Sequence, residues 1–184
     1  MAPDSHAFRR TVAQFATGVT VIAAEADGEV HGMTANSFTS LSLDPMLVLF
    51  CVGKHSRTAA IMQKVDGFSV NILTEDQQAL ATFFAGSWQE TVPPAFRFVA
   101  WTGGPRLDGC AAIGCAVHQI VDGGDHLILI GRVVALHQEL ETLRPLLFFD
   151  GHYQRLGAGD AGRQAGDSVE GSETTLDPWG SEGV

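Results

Sequence analysis

Positive charge is scarce in this chain: 11 Lys and Arg stand against 21 Asp and Glu, for a formal net charge of −10. That balance argues against non-specific affinity for nucleic acid or for an anionic membrane surface. No apolar run approaches the roughly eighteen residues that a membrane span requires. The opening MAPDSHAFRR lacks the apolar stretch of a signal peptide. Cysteine is sparse as well. Cys51, Cys110 and Cys115 form no C-x-x-C, and an odd count fits no closed disulfide framework. The expectation is a reduced, cytoplasmic protein whose thiols are small core residues.

Familiar catalytic signatures are also missing. There is no G-x-x-x-x-G-K-[ST] phosphate loop, no H-E-x-x-H among the seven histidines, and no G-x-S-x-G elbow. His118, His126 and His137 read as strand ends, and no metal is expected. One nucleotide pattern does occur, at Gly157-Ala158-Gly159-Asp160-Ala161-Gly162. It works where a strand delivers a tight turn into a helix. Here RQAGDSVEGS follows, without amphipathic period, so the match is read as chance. Residues 157–184 hold seven glycines, six acidic residues and a single base, Arg163, which is too little apolar matter to offset ordering entropy. The folded domain is expected over 1–156 and an acidic, Gly-rich disordered tail over 157–184.

What is present is strand pattern. Phe8, Val12 and Phe15 mark one face of a short helix capped by Asp4 or Ser5. VTVIAAE and EVHGMTA flank the turn signal Asp27-Gly28. MLVLFCV, FSVNIL, AIGCAVHQIV and HLILIGRVVAL read as further strands, the last two joined through Asp122-Gly123-Gly124-Asp125. Ser56 caps a helix expected from Arg57 to Val65, and Thr74 to Gln77 form a capping box for a helix reaching Ala85. Residues 87–104 read as a long loop. Hairpin-linked strands without βαβ alternation predict an antiparallel barrel or sandwich.

The densest chemistry lies in GMTANSFTSLSLDP, directly before MLVLFCV. Thr34, Ser37, Thr39, Ser40 and Ser42 supply five hydroxyls, Asn36 adds an amide, and no charge interrupts them. Short neutral donors suit a ligand with ring-nitrogen and carbonyl acceptors, such as an isoalloxazine and its ribityl chain. They equally suit a turn whose hydroxyls satisfy nearby backbone.

Five segments in order, FATGVTVIAA, GMTANSFTSLSLDPMLVLFCV, FSVNIL, GDHLILIGRV and PLLFFDGHYQRL, resemble the short-chain flavin reductases. These are the reductase components of two-component flavin monooxygenases. The resemblance covers about residues 8–156. It implies a mainly β fold: a six-stranded antiparallel Greek-key split barrel with a few short helices, assembled as a homodimer. It further implies that NADH or NADPH reduces FMN or FAD and that the reduced flavin passes to a separate monooxygenase. Two alternatives stay open, an oxidoreductase that retains its flavin and a non-enzymatic flavin carrier.

The family pattern puts flavin contacts on Thr34, Ala35, Asn36, Ser37 and Thr39. Cys51, Val52, Lys54, Ser56, Arg57 and Thr58 match the part reaching the ribityl phosphate, and Tyr153 matches a C-terminal block beside the flavin. His126, oriented by Asp125, is the expected NAD(P)H contact, with His152 nearby. No catalytic acid or base is expected, because hydride transfer is accelerated mainly by ring positioning. GSWQETVPPAFRFVAW departs from the pattern and leaves the choice of cofactor open.

Overall fold

The computed structural model describes residues 4–139 and 144–157. The tail expected over 157–184, with its glycine motif, lies outside the described residues from position 158 onward. In chain order the elements are α1 (Ser5–Val12), β1 (Thr17–Gly18), β2 (Thr20–Ala26), β3 (Glu29–Ala35), β4 (Thr39–Leu43) and β5 (Met46–Gly53). Then come α2 (Arg57–Met62), β6 (Gly67–Ile72), α3 (Gln78–Phe84), β7 (Phe98–Val99) and β8 (Arg106–Leu107). Finally come β9 (Ala111–Gly123), β10 (His126–His137), β11 (Leu147–Phe149) and β12 (His152–Gln154). Among the described residues no helix is long and apolar enough to cross a membrane.

Seven strands form the main sheet in the order β3-β2-β6-β9-β10-β5-β4, and the pairings are antiparallel. The two edge strands, β3 and β4, are joined by only Asn36, Ser37 and Phe38. The sheet therefore curls until its edges meet, yet β3 and β4 do not pair with each other. This is a split barrel. The six-strand expectation is corrected to seven, because the hydroxyl-rich segment itself supplies β4. Its residues are mostly exposed, as suits a polar edge.

Continuous apolar runs fill the barrel. Phe50 and Phe68, both 0% exposed, meet edge to face at 5.2 Å among Ile22, Met62, Val70 and Leu129. A side chain at Gly131 would sit 2.5 Å from the Phe68 ring, so glycine is required there. A second cluster, Val19, Val21, Leu73, Leu80, Leu107 and Leu146, packs under α3. The buried amide of Asn71 is satisfied: Nδ2 donates to the Val21 carbonyl at 2.9 Å, and Oδ1 accepts from the Leu107 N–H at 2.7 Å.

Several local expectations change. Asp27 and Gly28 both take positive φ (55° and 78°), the signature of a tight hairpin turn. Helix α2 stops at Met62 instead of Val65. The segment after Thr74 opens as a 3-10 turn over Glu75–Gln77 before α3 begins. Helix α1 buries nothing: Phe8 and Val12 are 65% and 51% exposed, and Phe15 just beyond it 74%, so this apolar face is not part of the core.

Candidate functional site

The opening between β3 and β5 is held by the hydroxyls that the sequence concentrates there. Ser37 Oγ donates to the Cys51 carbonyl at 3.1 Å and accepts from the Cys51 N–H at 3.0 Å. Thr34 Oγ1 donates to the Ala81 carbonyl of α3 at 2.7 Å, and Thr20 Oγ1 to the Ala35 carbonyl at 2.8 Å. These three hydroxyls are structural ties to neighbouring elements. Asn36 differs: it is exposed, and among the described residues its amide has no hydrogen-bond partner.

Three cavities meet at Asn36. One, of about 270 Å³, lies in the split and is bounded by Thr34, Asn36, Ser37, Cys51, Val52 and His126. A larger one, of about 740 Å³, lies between α1 and the connection from β3 to β4, with Phe8, Arg9, Phe38, Thr39 and Phe148 in its walls. The third, of about 170 Å³, is bounded by Thr34, Ala85, Phe148 and Tyr153. The Asn36 amide and apolar walls meet at this junction, with Arg9 at the larger cavity, a set that fits the polar edge of a flavin ring.

The hairpin between β9 and β10 brings His126 to the rim. Its Nδ1 donates to the Asp125 carboxylate at 2.7 Å, and this bond holds the Asp125 carboxyl below the usual range. Lys54 donates through its backbone N–H to the Asp125 carbonyl at 3.1 Å and through Nζ to the Asp122 carboxylate. That ammonium, together with the Gly124 N–H, lowers Asp122. Lys54 thus pins the hairpin beside the cavity. Burial raises the Cys51 thiol, and it also raises Tyr153, whose ring meets Phe148 at 5.5 Å.

The fold accordingly brings together Thr34, Ala35, Asn36, Ser37, Cys51, Val52 and His126 around one cavity, with Thr39 and Tyr153 in the adjoining two. Arg57 and Thr58 stand further along β3, around a separate pocket with Phe83. Ser56 is occupied as the α2 cap, accepting from the Ala59 N–H at 3.1 Å. Asp125 stays outside, with its side chain 93% exposed. His152 is not brought to the junction; its Nδ1 hydrogen-bonds the Asp150 carbonyl at 2.7 Å within the β11–β12 turn. Phe148 and the α1 residues were missed as lining. The helical spacing of Phe8, Val12 and Phe15 was the available signal, but it reads as a core face. Among the described residues no group of three metal-ligating side chains gathers.

The flavin reductase like domain matches residues 12–157 of the chain. Over 183 residues the chain is 43% identical to the flavin-dependent monooxygenase, reductase subunit HsaB, of Rhodococcus jostii (strain RHA1), covering 97% of this chain and 85% of that relative. It is 42% identical over 154 residues to the NADH-dependent flavin reductase StyB of Pseudomonas fluorescens, covering 82% of this chain and 89% of that one. The structure of the Streptomyces globisporus C-1027 NADH:FAD oxidoreductase SgcE6 in complex with NAD and FAD fragments aligns with a TM-score of 0.76 at 34% identity. It covers 85% of this chain and 95% of that one.

Proposed function

The chain belongs to the flavin reductase like domain family, and on that premise we propose that it is an NAD(P)H-dependent flavin reductase. It takes up FMN or FAD as a substrate and delivers the reduced flavin to a separate monooxygenase. The observation that carries this reading is the junction at Asn36, where an amide without a partner among the described residues and neutral backbone face His126 across one cavity. When bound, the two rings supply the chemistry, a hydride passing from nicotinamide C4 to flavin N5.

The protein's part is positioning. Asn36 and the backbone of residues 35–37 offer neutral donors to the pyrimidine edge, where negative charge develops on reduction. Ser37 fixes that segment by its double bond to Cys51. The bond from Nδ1 to Asp125 orients the His126 ring, leaving Nε2 for the amide of a nicotinamide. Phe148 and Tyr153 wall the far side. Three free thiols fit a reducing, cytoplasmic setting.

A homodimer is part of the proposal. Phe8 and Val12 on α1, Phe15 just beyond it, and Leu43 and Met46 at the β4–β5 turn are each more than half exposed, and isologous pairing would cover such surface. Light scattering is expected to give twice the mass of the chain; a monomer with flavin reduction intact contradicts this part.

The test of function is NADH or NADPH oxidation by the purified chain with FMN or FAD titrated in. A rate that rises with added flavin and saturates supports the reading. Full turnover without added flavin points to a retained cofactor instead.

A further inference from the structure

The free edge of β3 carries a second pocket beyond the cavity in the split. It measures about 320 Å³ and lies between α2 and α3, with Val30, His31, Arg57, Thr58 and Phe83 among its walls. We propose that this pocket takes the adenosine-phosphate half of the flavin, so that the chain selects FAD over FMN. The inference rests on the flavin reading above and adds which flavin is taken.

The first support is alignment. Among the described residues β3 pairs only with β2, so its outer side is a sheet edge along the strand. The split cavity draws on residues 33–37 of this segment and the second pocket on residues 30–32. From Asn36 to Val30 the chain rises about 20 Å at the spacing of an extended strand. A mononucleotide whose ring sits at Asn36 ends short of Val30, whereas a dinucleotide can reach it.

The second support is the wall. Phe83 and Phe84 meet at 5.1 Å, and Phe96 backs both at 5.5 and 5.0 Å. Phe84 is pinned under Gly32, where a Cβ would stand 2.6 Å from its ring. Phe83 is thereby held with a partly exposed aromatic surface beside the pocket, ready for a heteroaromatic base.

Charge is the third support. Among the described residues lining the pocket, Arg57 carries the permanent positive charge, and its side chain is 76% exposed. Its nearest carboxylate, Glu29, is 3.8 Å away, and the same carboxylate lies 4.0 Å from His31 Nε2. A guanidinium held so loosely is available to a diphosphate. Glu29, itself exposed, is an acceptor suited to ribose hydroxyls or the exocyclic amine of adenine.

Calorimetric titration of the full chain with FAD, FMN and ADP tests this. FAD is expected to bind about tenfold or more tightly than FMN, and ADP to displace FAD while leaving bound FMN in place. Phe83→Ala should reduce FAD affinity about fivefold or more and leave FMN affinity within about twofold. Val30→Glu alters an exposed strand position without touching the core, and its added charge should weaken FAD selectively in the same way. Equal affinity of the parent for both flavins, or variants that weaken both alike, overturns the inference. A parent chain that binds neither flavin overturns the flavin reading itself.

Discussion

Ser37 and Cys51 are joined twice, the serine hydroxyl donating to the Cys51 carbonyl at 3.1 Å and accepting from its N–H at 3.0 Å. A single side chain thereby does across the split what a ladder pair does within a sheet. Ser37→Ala removes both bonds, each worth about 0.5–1.5 kcal/mol. The expected loss is about 1–2 kcal/mol, because water reaches part of this surface and replaces the bonds in part. Urea unfolding measures it, and an unchanged midpoint means the tie is idle.

Asn36→Leu and His126→Ala should fail in different ways. Among the described residues the Asn36 amide has no partner, so its replacement should weaken flavin binding while the circular dichroism spectrum and melting point stay near those of the parent. His126 stands across the cavity with its ring oriented by Asp125. His126→Ala should raise the KM for NADH or NADPH, or slow hydride transfer, with flavin affinity nearly unchanged. Flavin titration and steady-state kinetics on the same preparations separate the two. If Asn36→Leu binds flavin as the parent does, the assignment of the junction is wrong.

The long strands were legible in the sequence because their patterns are strong: MLVLFCV turns Val48, Phe50 and Val52 into the core, HLILIGRVVAL adds Leu129, and Asp27-Gly28 takes the turn its residues favour. The short strands were not. β7 and β8 are two residues each and β11 and β12 three, too few for any period to emerge. The hydroxyl-rich stretch was read as ligand donors, yet Thr34 and Ser37 spend their hydroxyls on Ala81 and Cys51. Sequence reports hydrogen-bonding capacity but not its partner, which depends on elements 14 and 47 residues away. Likewise Lys54 reads as a phosphate ligand until the β9–β10 hairpin sets Asp122 beside it.

Cys51 is the half-buried member of three free cysteines, and burial lifts its thiol above the ordinary value. Cys110 and Cys115 are fully buried, pushed up to about 11 and about 12. A raised value means the reactive thiolate appears only at higher pH. Labelling of the native chain with a disulfide reagent should reach one equivalent, accelerate with pH beyond the point where an ordinary thiol levels off, and slow when flavin is present. Three equivalents are expected in denaturant. Labelling indifferent to saturating flavin places the ligand away from Cys51.

On the proposed function, this chain reduces a flavin and lets it go. The direct measurement is an anaerobic reaction of the chain with a molar excess of FAD or FMN and of NADH or NADPH, followed by ultrafiltration. Flavin is expected to be reduced in excess of the protein, and the reduced flavin to pass into the filtrate. Reduction limited to one flavin per chain and retained above the membrane, or none with any pairing of the four substrates, contradicts it.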